Sequence, residues 1–80
     1  MNINKKIAIS ESGFLFDSLT GDSYSMNPIA VEIVSMLKKD MTPDEIKYAL
    51  LEKYEVSTSV MEKSVDEFID TLKNLNIVSE

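Results

Sequence analysis

The sequence predicts an α+β domain, in which a three-stranded antiparallel meander is followed by three helices. Two observations predict this class. Short apolar segments separated by glycine turns come first, and segments of helical periodicity that begin with capping residues follow from Asn27 onwards. Strands and helices segregated in this way are typical of α+β folds. With 80 residues, the chain is expected to form one domain over residues 1–80.

Three short strands are predicted at about residues 3–10, 13–18 and 22–26. Gly21 fits the left-handed position of a hairpin turn between the second and third strands. In the third strand, Tyr24 and Met26 alternate with Ser23 and Ser25, which is the pattern of a strand buried on one face. The third strand is therefore expected to be short, half-buried and last in its sheet.

Three helices are predicted at about residues 28–38, 43–54 and 59–75. The first follows Asn27, a favoured N-cap, and begins with Pro28, whose missing N–H would have had no helical partner. Between residues 29 and 37 only Glu32 and Ser35 are polar. This helix is therefore expected to lie at the centre of the domain.

The second and third helices both start with capping-box spacing. Thr42 precedes Glu45 by three residues, and Ser59 precedes Glu62 by three. Asn76 tolerates a left-handed conformation and is expected to end the third helix, so that residues 77–78 fold back. The apolar residues of the third helix recur at spacings of four and three and predict one core-facing stripe: Met61, Val65, Phe68, Leu72 and Leu75.

The chain is acidic, with 14 Asp and Glu against 8 Lys and Arg and a net charge of −6. All the cations are lysines, so the guanidinium groups that read guanine or grip phosphate are missing. Nucleic acid and anionic membranes are therefore not expected as partners. With no long apolar run, no signal peptide and no cysteine, the sequence predicts a cytoplasmic protein, monomeric when alone.

Catalysis is not expected. The sequence has no histidine, no cysteine and no glycine-rich phosphate loop, so no metal or cofactor is expected either. Glu62, Asp66 and Asp70 stand four residues apart on the third helix and could serve as acid–base groups. Charged helix residues are normally exposed, and a solvated face explains the three carboxylates more simply.

The second and third helices, joined by a short turn, also resemble the end of a winged-helix domain that places its last helix in the major groove. A DNA-binding or protein-interaction regulator is therefore the alternative function. Four acidic residues on the third helix oppose two lysines, a net of −2 where phosphates would lie, and this disfavours DNA. These charged residues are Glu62, Lys63, Asp66, Glu67, Asp70 and Lys73.

Taken in order, the motifs resemble those of the PqqD-like family, the peptide chaperones known as RiPP recognition elements. The resemblance spans nearly the whole chain and is carried by Tyr24-Ser25-Met26-Asn27, by Thr42-Pro43-Asp44-Glu45, and by Val65, Phe68, Ile69 and Leu72 before Asn76-Ile77-Val78. Two positions depart from the family pattern, because Asp40-Met41 and Asn76 stand where many members have glycine.

The resemblance implies a domain of winged-helix-like fold that binds the leader segment of a ribosomally made precursor peptide. The domain would present this peptide to a modifying enzyme, such as a radical SAM protein. The leader would add as a strand to the third strand and lie against the third helix. The residues favour this independently, since a three-stranded meander with an open edge recruits strands. The expected peptide-binding residues are Asp22, Ser23, Tyr24, Ser25, Met26, Val65, Ile69 and Leu72.

Overall fold

The computed structural model describes residues 2–10 and 12–79. Its strands are β1 (Asn2–Ile3), β2 (Ile7–Ile9), β3 (Phe14–Asp17), β4 (Ser23–Ser25) and β5 (Val78–Ser79). Its helices are α1 (Pro28–Lys38), α2 (Pro43–Lys53) and α3 (Thr58–Asn74). The predicted fold class is confirmed, because an antiparallel meander of β2, β3 and β4 precedes three helices.

The prediction of a single first strand over residues 3–10 is wrong. The segment forms two strands that belong to different sheets, β1 and β2. Asn4 separates them, because its side-chain Oδ1 accepts from the Lys6 N–H at 3.2 Å and its C=O accepts from the Ile7 N–H at 3.0 Å. An asparagine that bonds to nearby backbone in this way forms a turn and ends strand pairing.

The C-terminal segment folds back as the sequence predicts and meets the start of the chain. Ile3 of β1 is opposite Val78 of β5 in a two-stranded antiparallel sheet. The Asn4 N–H extends this contact by donating to the Ile77 C=O at 2.8 Å. The first and last of the described strands therefore pair with each other in a sheet separate from the meander.

The core forms around α1, as expected from its apolar sequence. Ile33, Val34 and Leu37 are almost completely buried in it. One side of β3, through Leu15, packs into the same cluster, and so do α2 and α3. The buried residues that α2 and α3 contribute are Ile46, Leu50, Met61, Val65, Ile69 and Leu72.

The helix starts follow the predicted capping chemistry with one change. Asn27 caps α1 by accepting from the Ala30 N–H at 2.8 Å, and Thr42 and Glu45 form a complete capping box on α2. The cap of α3 is Ser57, whose Oγ accepts from the Val60 N–H at 3.3 Å, so the helix begins before Ser59. Each cap satisfies N–H groups that have no partner within the helix.

Two helices end at residues with positive φ that are not glycine. Asp40 has φ 60° after α1 and Asn76 has φ 59° after α3. The Met41 N–H donates to the Met36 C=O, and the Ile77 N–H donates to the Leu72 C=O, at 3.2 and 2.8 Å. These bonds define Schellman motifs, in which Asp40 and Asn76 occupy the position that usually holds glycine.

We expect Asp40→Gly to raise the free energy of unfolding by up to about 1 kcal/mol, because glycine adopts a positive φ without the steric cost of a side chain. Urea titration followed by circular dichroism measures the change. Lys39→Gly is the matched control, since Lys39 has φ −89° and should lose stability on the same substitution. An Asp40→Gly variant less stable than the parent contradicts the assigned conformation.

The β3–β4 hairpin is held by a buried carboxylate. Asp17 is 4% exposed, pairs with the Lys6 ammonium at 3.0 Å and accepts from the Leu19 and Thr20 N–H groups. Burial alone would raise the pKa of Asp17, but Lys6 and the two N–H groups hold that pKa below its ordinary value of 3.8. The charged form therefore stabilises the fold above about pH 4, and this contribution is lost as the pH falls through the lowered pKa.

We expect Asp17→Asn to reduce the free energy of unfolding at about pH 7, and the deficit relative to the parent to shrink at about pH 2.5. Urea titrations of both proteins at the two pH values measure it. Asp22→Asn, which alters an exposed carboxylate of the same hairpin, serves as the control. A deficit for Asp17→Asn that is equal at both pH values would show that the carboxylate charge is not what holds the hairpin.

Candidate functional site

One edge of the three-stranded sheet is formed by β4, which pairs with β3 on its other side. The Asp22 C=O accepts from the Asp17 N–H at 2.8 Å, and the Met26 N–H donates to the Gly13 C=O at 2.7 Å. Backbone groups alternate in direction along a strand, so Tyr24, between these two residues, also directs its N–H and C=O towards β3.

The same alternation directs the N–H and C=O groups of Ser23 and Ser25 away from β3. Within residues 2–10 and 12–79, no strand pairs with this side of β4. Two donors and two acceptors therefore stand in register along an unpaired edge, which is the arrangement that accepts an additional strand.

The opposite edge of the sheet, along β2, is less open. The Ile7 N–H, which faces away from β3, donates to the Asn4 C=O at 3.0 Å. The turn that separates β1 from β2 thus occupies one of the groups that another strand would need. Of the two edges, β4 is the better template for pairing.

The two faces of β4 differ in burial, as its alternation predicts. Tyr24 and Met26 are half-buried and pack against the core cluster. Ser23 and Ser25 are exposed on the outer face of the sheet, and Asp22 is exposed at its start. A strand paired with β4 would therefore direct alternate side chains towards the core side and towards solvent.

The three α3 residues expected in the site lie in the core. Val65, Ile69 and Leu72 are 0, 4 and 3% exposed, respectively. Their side chains fix the position of α3 on the domain and offer little surface of their own. The structure thus brings the five expected residues in and beside β4, residues 22–26, together on one edge, while these three lie on the buried side of the helix.

A second strip of α3 is not evident from the core stripe alone. Spacings of four, four, three and four place uncharged residues along one flank of the helix, of which Val60 is 55% exposed, Phe68 half-buried and Leu75 38% exposed. The complete strip is Val60, Ser64, Phe68, Thr71 and Leu75. The absence of charge along this flank was the sequence signal that could have found it.

The opposite flank of α3 faces α2. Asp66 binds the Lys47 ammonium of α2 at 2.9 Å, and this hydrogen bond raises the pKa of Lys47. The charged flank is therefore occupied by a helix–helix contact, and the uncharged strip lies on the side turned away from α2. This asymmetry leaves α3 with one apolar flank that the neighbouring helix does not cover.

A cleft of about 380 Å³ lies beside the end of β4. Met26 and Val31 line it, together with a polar cluster of Glu32, Lys53 and Tyr54. There Glu32 accepts from the Lys53 ammonium and from the Tyr54 hydroxyl, the latter at 2.6 Å. The hydrogen bonds from Lys53, first, and from Tyr54 hold the pKa of Glu32 below its ordinary value of 4.5. The hydrogen bond to Glu32 raises the pKa of Tyr54. Such a carboxylate stays ionised near neutral pH and is poorly matched to acid–base catalysis.

Other kinds of site are not evident in the part of the chain that the structure describes. Over residues 2–10 and 12–79, no three acidic, histidine or cysteine side chains converge as metal ligands would. No helix in the same ranges combines the length and apolar character needed to cross a bilayer. The open edge of β4 is thus the feature with the clearest chemical use.

The geometry defines the class of domain first: an α+β winged-helix-like fold with an unpaired strand edge. Two solved structures share this fold. One, described as "TbiB1 in Complex with the TbiA(beta) Leader Peptide", matches with a TM-score of 0.87 at 22% identity and covers 100% of both chains. The other, described as "Lasso peptide synthetase B1 complexed with the leader peptide", has a TM-score of 0.88 at 22% identity, covering 99% of this chain and 96% of that one.

The sequence model of the PqqD family, described as "Coenzyme PQQ synthesis protein D (PqqD)", matches residues 12–78. The chain therefore belongs to the PqqD family, and the resemblance predicted from its motifs is confirmed. No curated protein matches it in sequence.

Proposed function

We propose that the protein binds the leader segment of a ribosomally made precursor peptide and presents it to a modifying enzyme. The observation that carries the proposal is the open edge of β4, where Ser23 and Ser25 direct their backbone groups away from the sheet. Membership of the PqqD family supports it, and so do the two structures of the same fold that are described as complexes with a leader peptide.

The leader adds to β4 as a fourth strand of the meander. Hydrogen bonds to the backbone of Ser23 and Ser25 supply affinity, and pockets for alternate side chains supply specificity. A leader residue opposite Tyr24 shares the face of Tyr24 and points to the core side of the sheet. The pairing segment is therefore residues 22–26, with Tyr24 and Met26 as the floor of the binding groove.

The uncharged flank of α3 forms the wall of this groove. Phe68 and Leu75 present partly exposed apolar surface on that flank. Val65, Ile69 and Leu72 lie on the adjacent, buried side of α3. Their packing in the core holds the wall in place. An apolar wall beside a strand edge suits a peptide that is amphipathic in its extended form.

The protein acts without catalysing a reaction itself. The sequence has no histidine and no cysteine, and the partly buried Glu32 is committed to Lys53 and Tyr54. The chemistry belongs to a separate enzyme, such as a radical SAM protein, that takes the leader-bound precursor as substrate. We place this step in the cytoplasm, where ribosomally made precursors are synthesised.

The experiment is calorimetric titration of the purified protein with synthetic leader segments of precursor peptides encoded beside its gene. We expect saturable binding in the micromolar range or tighter, about −8 kcal/mol or more favourable. The core segment of the same precursor is the control and should not bind. If no leader binds better than its own core segment, the proposal is wrong.

We expect no complex with duplex DNA at micromolar protein and physiological salt, where even non-specific binders have dissociation constants of about 10⁻⁴ to 10⁻⁶ M. The reason is the acidic surface of α3, on which Glu62, Asp66 and Asp70 are exposed. A gel-shift titration measures it. A shifted band that weakens steeply with added salt would favour the regulator instead.

A further inference from the structure

The outer face of the sheet carries two exposed aromatic rings. Phe14 is 52% and Phe16 is 41% exposed, while Leu15 between them is 1% exposed and lies in the core. An antiparallel sheet with one face in water usually carries polar residues on that face. Neither ring belongs to the core cluster, which Leu15 joins on the other side of β3.

The neighbours of these rings on β4 are the two serines of the open edge. Phe14 is opposite Ser25, and Phe16 is opposite Ser23. Residues opposite each other in a sheet project from the same face, so each ring has a serine beside it on the outer surface. A serine is too small to cover a phenyl ring, and the rings stay uncovered on the side of the open edge.

A strand added to β4 extends this surface in a defined way. Its residues directly opposite Ser23 and Ser25 project from the outer face, whichever direction the strand runs. Neighbouring strands lie about 4.8 Å apart, so the added strand is about 10 Å from β3, with the serines between them. An aromatic or long aliphatic side chain can cross that gap over a serine and contact a phenyl ring, whereas alanine or glycine cannot.

We propose that the leader carries large apolar side chains at two positions separated by one residue, and that these pack on Phe14 and Phe16 across Ser25 and Ser23. The proposal rests on the proposed function, because it requires a strand on β4. The outer face of the sheet then recognises leader side chains different from those that enter the groove between β4 and α3. Three consecutive leader residues then contact the protein. The first and third contact the phenyl rings, and the second, opposite Tyr24, enters the groove.

The probe is a phage-displayed library of random peptides of about 12 residues, since strand pairing along β4 uses only a few of them. Peptides are selected on the parent protein, and those that lose binding to the Ser25→Pro variant are kept. One such peptide is then scanned with alanine, residue by residue, against the parent and against the Phe14→Ser/Phe16→Ser double variant. Both replaced side chains are exposed, so the double variant should keep the melting temperature of the parent.

We expect alanine substitution at two peptide positions, with one residue between them, to weaken binding to the parent by about tenfold. The same substitutions should weaken binding to the double variant by less than about twofold. Tyr48→Ser is the matched control, because Tyr48 is an aromatic residue, 73% exposed, on α2. The alanine scan against this control should match the scan against the parent. Ser25→Leu provides a second test, since leucine itself covers Phe14 and should abolish the coupling at one of the two positions.

Two results would overturn the inference. If peptides that depend on Ser25 lose equal affinity on alanine substitution against the parent and the double variant, the phenyl rings do not contact the peptide. Leader binding by strand addition would stand in that case. If the selection gives no peptide that depends on Ser25, both the inference and the strand-addition mechanism are wrong.

Discussion

Replacing Ser25 by proline is expected to weaken leader binding by at least about tenfold while the domain stays folded. The substitution removes an N–H that faces the open edge and places a ring where the leader backbone must lie. The fold should persist, because that N–H has no role in pairing β4 with β3 and proline is tolerated on edge strands. Calorimetric titration with a leader peptide gives the affinity, and circular dichroism gives the fold.

Ser25→Ala is the matched control for this variant, since it removes the hydroxyl and keeps the N–H. It should bind the leader with nearly the affinity of the parent, because strand addition draws on the backbone. If proline and alanine at position 25 have the same effect on binding, the leader does not pair with this edge. An unfolded Ser25→Pro protein would show that the N–H supports the sheet.

Ile33→Ala is expected to have the largest effect on stability, a loss of about 2–5 kcal/mol in the free energy of unfolding. Ile33 is 3% exposed on α1, and the cavity left by truncation would lie among side chains from β3, α2 and α3. Small domains have little stability to spare, so much of this variant should be unfolded at 37 °C, where a few kcal/mol decide the balance. Urea titration at 25 °C measures the loss.

Ile29→Ala provides the comparison, because the same substitution is made on the same helix at a side chain that is 39% exposed. It should lose about 1 kcal/mol or less. Melting temperatures of the two variants that agree to within about 3 °C would show that α1 is not the central element of the core.

The elements that local chemistry specifies could be predicted from the sequence. The caps at Asn27 and Thr42 and the hairpin glycine Gly21, with φ 79°, are present as expected, because each depends on side-chain and backbone groups a few residues apart. The alternation in β4 was equally readable, since burial on one face imposes a period of two.

The division of the first strand could not be predicted from apolar alternation. The isoleucines continue through the turn, but Asn4 bonds to the backbone of Lys6 and Ile7 and so interrupts the pairing. The position of the new strand β1 then depends on β5, more than 70 residues later in the sequence. Contacts at that separation have no local signal.

The candidate site shows the same division. The register of one hairpin decides that the N–H and C=O groups of Ser23 and Ser25 point away from β3. The sequence was sufficient to place these residues on the edge strand. Periodicity also identified Met61, Val65 and Leu72 of the buried stripe of α3, whereas Leu75 is exposed and Ile69 is buried. Periodicity gives only the direction of the core. Which flank of the helix is left uncovered depends on where α2 packs, and the Lys47–Asp66 ion pair reveals this only in three dimensions.

Leader binding by strand addition is tested most directly by hydrogen exchange of the β4 amides, measured by NMR with and without a saturating leader peptide. The Ser23 and Ser25 amides, which face the open edge, should exchange at least about tenfold more slowly in the complex, because each becomes hydrogen-bonded to the peptide. The Tyr24 amide, which faces β3, should change less. Unchanged exchange at Ser23 and Ser25 in a protein saturated with leader would contradict strand addition at this edge.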